Sequence, residues 1–74
     1  MTAKEMFEAL GYEFIESKEL IQYLIDGGAD GDYMAIEFWL NEHTFSAQYN
    51  YEPKEVTMSE YKAIQQQIKE LGWI

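Results

Sequence analysis

The chain has 74 residues, of which 47% are hydrophobic and 16% aromatic, and its 14 acidic side chains against 5 lysines and no arginine give a net charge of −9. That composition supports one small core spanning residues 1–74, which excludes a disordered acidic tail. The absence of cysteine excludes a disulfide framework and a thiolate metal site and fits a reducing cytoplasm, while the carboxylate excess repels a polyanion and disfavours direct nucleic-acid binding.

Thr2 and Glu5 have capping-box spacing, and Ala3, Met6, Phe7 and Leu10 recur on one helical face. Gly11 then supplies a left-handed stop, with Tyr12 placed to pack back on Phe7 as in a Schellman motif. Lys4, Glu5 and Glu8 interrupt any apolar core of a signal peptide. Residues 12–15 and 20–25 read as strands joined by the polar tetrad 16–19. The second of them also fits a short helix capped by Ser17 and stopped by Gly27, but Ile21, Tyr23 and Ile25 favour the pleated surface.

The Gly/Asp-rich segment 26–32 reads as a loop. Met34, Ile36, Phe38 and Leu40 then alternate with Tyr33, Ala35, Glu37 and Trp39, and Phe45, Ala47, Tyr49 and Tyr51 with Ser46, Gln48 and Asn50. These are two further strands joined by the polar stretch 41–44 as a hairpin. Pro53 lacks the N–H that a ladder needs and is expected to block further pairing. Thr57 and Glu60 repeat the capping box, with Val56 and Tyr61 as a hydrophobic staple. The stripe Tyr61, Ile64, Ile68 and Leu71 predicts a helix over 58–71, closed by Gly72 with Trp73 facing Ile68. The expected architecture is a two-layer α+β domain, α-β-β-β-β-α, in which a four-stranded antiparallel meander carries both terminal helices on one face.

The chain resembles small uncharacterised proteins of phages and prophages of Gram-positive bacteria. The resemblance is carried by Thr2-Ala3-Lys4-Glu5-Met6-Phe7, Leu10-Gly11-Tyr12, Ile36-Glu37-Phe38, Thr44-Phe45 and Val56-Thr57-Met58. It continues in Ala63-Ile64 and in Ile68-Lys69-Glu70-Leu71-Gly72-Trp73. It implies a phage accessory gene acting in the host cytoplasm, and it brings no catalytic residue with it.

The single histidine, His43, lies in a turn with no nucleophile or orienting partner, so it reads as a solvated residue. A sugar-cleaving carboxylate pair needs a cleft, for which a two-layer domain of this size leaves little room. No enzyme, no cofactor and no small-molecule substrate are expected. Asp26, Asp30, Gly31 and Glu37 fall at EF-hand positions, with Asp32 beside them, but glycine occupies the third position and the flanks are strands. A weak calcium loop in a small structural protein is therefore one alternative function.

If the helices cover Met34, Ile36, Phe38 and Leu40, then Tyr33, Glu37 and Trp39 share the opposite, uncovered face. Aromatic side chains on an open sheet face mark association. The expected function is protein binding, to a host protein or a second copy, through Tyr33, Trp39 and Glu37 and the adjacent acidic surface. A second alternative is an acidic DNA mimic that blocks a nucleic-acid-binding defence protein. No segment approaches the roughly 20 apolar residues that span a bilayer, so no membrane partner is expected.

Overall fold

The computed structural model describes residues 1–29 and 31–74. In chain order the elements are α1 (Ala3–Ala9), β1 (Glu13–Glu16), β2 (Leu20–Asp26), β3 (Tyr33–Trp39), β4 (Thr44–Tyr49), β5 (Glu52–Pro53) and α2 (Met58–Glu70). The strands form one antiparallel sheet in sequence order. The α+β class and the meander match the sequence reading, and residues 20–25 are strand.

The sheet has five strands rather than four. Asn50 and Tyr51 both have positive φ, 49° and 67°, and form a two-residue turn of the type I′ kind that sets Tyr49 opposite Glu52 and Gln48 opposite Pro53. Pro53 does not block this pairing, because β5 is the sheet edge and its missing N–H faces no further strand. Tyr51 consequently leaves the alternation of β4, to which the sequence pattern assigned it.

Both helix starts and both helix stops follow the expected grammar. The Thr2 hydroxyl accepts the Glu5 N–H at 3.1 Å while the Glu5 carboxylate accepts the Thr2 N–H at 2.8 Å; Thr57 and Glu60 repeat the exchange at 3.1 and 2.9 Å. At the stops, the Tyr12 N–H donates to the Phe7 carbonyl and the Trp73 N–H to the Ile68 carbonyl, each at 3.1 Å, across Gly11 and Gly72 in left-handed conformation. Val56 and Tyr61, the residues of the expected staple, are both exposed.

The core lies between the helices and one face of the sheet. Phe7 stacks on Tyr23 with ring centroids 3.9 Å apart and meets Phe38 edge-on at 6.3 Å, and Ile21, Ile36, Ala63 and Ile64 complete the buried cluster. Fully burying a side chain such as Phe7 is worth about 1.5–3 kcal/mol, so packing rather than the short α1 itself holds that helix.

The buried stripe of α2 differs from the expected one. It consists of Glu60, Ala63, Ile64 and Gln67, with Ile68 and Leu71 only partly buried beside it and Tyr61 exposed. The two polar members are tolerated because each meets a buried tyrosine hydroxyl: Tyr12 Oη donates to Glu60 Oε2 and Tyr23 Oη to Gln67 Oε1, both at 2.5 Å. Lys54 Nζ completes the first group at 2.7 Å from Glu60 Oε1. Burial pushes the Glu60 carboxyl up, yet the hydrogen bonds from Lys54, Tyr12 and the Thr57 amide outweigh it and hold Glu60 below its ordinary range.

At the other end of α2, Glu70 Oε2 accepts the Ala3 N–H at 2.8 Å. With Tyr12 bound near the start of α2, the helices run antiparallel across the sheet. Among the described residues, no helix is long and apolar enough to cross a membrane.

Candidate functional site

Strand alternation and register decide what lies on the sheet face turned away from the helices. The core side takes Ile21 and Tyr23 from β2 and Ile36 and Phe38 from β3. The opposite side therefore takes Glu13 and Ile15 from β1; Leu20, Gln22, Leu24 and Asp26 from β2; Tyr33, Ala35, Glu37 and Trp39 from β3; and Thr44, Ser46 and Gln48 from β4. Tyr33, Glu37 and Trp39 thus share the uncovered face.

Glu37 sits in the middle of that face. Its neighbours across the ladder are Gln22 on β2 and Ser46 on β4. Gln22 Nε2 donates to Glu37 Oε2 at 2.7 Å, and Gln48 Nε2 donates to Glu37 Oε1 at 2.9 Å. One amide per oxygen fixes the carboxylate's orientation while leaving each oxygen a second acceptor position. Neither glutamine stood out in the sequence pattern, because pairing them with Glu37 requires the strand register, which alternation alone does not supply.

Aromatic side chains occupy both ends of β3 on this face. Trp39 is 38% exposed and lies opposite Leu20, with the exposed Ile15 one row along. At the other end Tyr33 stacks on Tyr51 with centroids 4.6 Å apart and planes 13° from parallel. Burial, and then the nearby charge of Glu37, pushes the Tyr33 hydroxyl pKa up. Asn50 locks this end, donating its N–H to the Tyr33 carbonyl at 2.7 Å and accepting the Tyr33 N–H on Oδ1 at 2.9 Å. An open hollow of about 510 Å³, lined by Ser46, Gln48, Tyr51 and Pro53 among others, borders the β4 side. Glu52 and Pro53 of the fifth strand line one side of it.

The remaining candidates fall elsewhere. The His43 backbone is left-handed at φ 57°, and its exposed imidazole stacks on Trp73 at 4.9 Å, next to Phe38, so it braces the end of α2 against the β3–β4 turn. Of the calcium-loop candidates, Asp30 lies outside the described residues. Asp26 Oδ1 accepts the Gly28 N–H at 3.0 Å, and both oxygens of Glu37 are engaged by glutamines. Asp32 lies beside the Tyr49 hydroxyl and raises the phenol's pKa. Among the described residues, no three His, Cys, Asp or Glu side chains gather as metal ligands. Gly31 serves the loop by close approach: a Cβ there would meet the Gly27 carbonyl oxygen at 2.3 Å.

Comparison with known proteins returned no protein-family profile, curated protein or solved structure that matches the chain.

Proposed function

We propose that the chain is a non-enzymatic protein-binding module, an accessory protein of the phage or prophage kind it resembles, that engages another protein through the open face of its sheet. The supporting observation is one-sided cover. Both helices pack on the same side of the sheet, and the other side presents Ile15, Trp39 and the Tyr33–Tyr51 stack around Glu37. Aromatic anchors around a polar group are the composition of an interface core rather than of a solvated sheet face.

The same geometry weighs against the DNA-mimic alternative. Glu5 and Glu60 are engaged in capping boxes, Glu60 also by Lys54, and Glu70 by the Ala3 N–H of α1, so these three carboxylates already have partners within the fold.

The test compares wild type with Trp39→Ala in affinity capture from host lysate and in sedimentation. Trp39→Ala is expected to retain the fold by circular dichroism and to lose the retained protein. Equal capture by both would contradict the reading.

A further inference from the structure

The open face has an uneven charge. Its ionisable carboxylates are Glu13, Asp26 and Glu37, and none of the lysines projects from the strand positions of this face. Lys4 lies over the Phe14 ring on the helix side, Lys54 is paired with Glu60, Lys62 and Lys69 belong to α2, and Lys18 sits in the β1–β2 turn. Two copies joined through this face would bring only like charges together, on chains that each carry −9.

We propose, on the open-face reading above, that the occupant is a partner segment bearing an arginine, whose guanidinium seats on Glu37 and stacks beside Trp39. Glu37 is held by Gln22 and Gln48 with one acceptor position remaining on each oxygen, which matches the parallel donors of a guanidinium. Trp39 is two residues along the same strand, about 7 Å away, within reach of the planar cation. Because the glutamines fix the carboxylate in advance, little ordering is left for binding to impose. A lysine would satisfy the charge but neither the paired donors nor the stacking.

The probe is a hexa-arginine peptide, with an equal-length citrulline peptide as the neutral shape control, titrated into ¹⁵N-labelled protein. Binding at this site moves the indole N–H of Trp39 and the side-chain amides of Gln22 and Gln48, while the indole of Trp73, stacked on His43 across the sheet, stays in place. Citrulline gives no such shifts. Glu37→Gln is expected to weaken arginine binding by about tenfold or more, as befits loss of a charge-assisted contact. Glu8→Gln, an equal charge change on exposed α1, leaves affinity within about twofold. Ser46→Lys, opposite Glu37 on β4, supplies an internal cation and is expected to abolish the shifts with the fold intact.

Equal affinity in Glu37→Gln or Ser46→Lys, or shifts gathered on the helices, overturns the arginine assignment. If hexa-arginine leaves Trp39 unmoved while Trp39→Ala still abolishes partner capture, the assignment alone fails. If Trp39→Ala leaves capture unchanged as well, the open-face reading fails with it.

Discussion

The Tyr12 hydroxyl donates to Glu60 Oε2 at 2.5 Å, joining the residue that follows the stop of α1 to the residue that caps the start of α2. Glu60 thereby serves a helix cap, a tyrosine and Lys54 at once. Removing it leaves the Tyr12 hydroxyl without its acceptor and the Lys54 ammonium with the Glu55 carbonyl alone, at 2.6 Å. Glu60→Ala is expected to cost about 1–3 kcal/mol, the range for leaving a buried polar group without its partner, and Glu60→Gln less, since the amide oxygen still accepts. Because the Glu60 pKa is depressed in the fold, its charge contributes fully above the ordinary value of 4.5 and is lost as pH falls through the lower folded value. Urea denaturation of both variants checks this; a Glu60→Gln as costly as Glu60→Ala would contradict the share assigned to the retained acceptor oxygen.

Alkaline pH acts on the tyrosines in the opposite direction. Burial raises the Tyr12 and Tyr23 pKa values well above 10.0, aided at Tyr12 by its hydrogen bond to Glu60 and at Tyr23 by the charges of Glu70, Glu8 and Glu16. The folded chain therefore holds protons that the unfolded chain releases above about pH 10. Stability from this source is complete below that pH and declines as pH rises toward the folded values. Tyr23→Phe is expected to be less stable than wild type near neutrality by about 1 kcal/mol, with a shallower loss as pH rises above about 10. Parallel pH profiles for the two proteins would contradict it.

The caps provide a smaller scale. Thr57→Ala removes the acceptor of the Glu60 N–H and is expected to cost about 1 kcal/mol, and Gly72→Ala places a Cβ at φ 73°. Both are expected to lower the melting temperature. An unchanged Thr57→Ala melt would contradict the assigned start of α2.

Tyr51 stores backbone strain, since an aromatic residue at φ 67° bears a cost of about 1–2 kcal/mol that glycine does not. Its stack on Tyr33 offsets part of that cost. Tyr51→Gly is expected to be as stable as wild type or more so, in the turn that favours Asn-Gly, while removing one wall of the open-face aromatic pair. Thermal melts compare the two proteins, and a marked loss of stability would contradict the balance.

What could be read from the chain follows the range of each signal. Capping boxes and glycine stops lie within a few residues, so both helix ends were legible, and strict alternation placed Tyr33, Glu37 and Trp39 on one face. Alternation also misled: it carried Tyr51 along β4, whereas the Asn50–Tyr51 turn sets it against Tyr33. The stripe of α2 was misplaced because Glu60 and Gln67 count as solvent-facing until Tyr12 and Tyr23 are seen to meet them. The Gln22–Glu37–Gln48 arrangement spans β2, β3 and β4 and depends on register. No local pattern encodes it.

The central claim is that the open sheet face, rather than the helix face, carries recognition. The direct measurement is partner capture by Trp39→Ala beside Tyr61→Ala, each truncating an aromatic residue that is 38% or 46% exposed, on opposite sides of the domain. An interface anchor is worth about 2 kcal/mol or more on truncation. Trp39→Ala is predicted to reduce capture by about 30-fold or more with Tyr61→Ala near wild type, both proteins folded. Retained binding in Trp39→Ala with loss in Tyr61→Ala would place recognition on the helices and contradict the account.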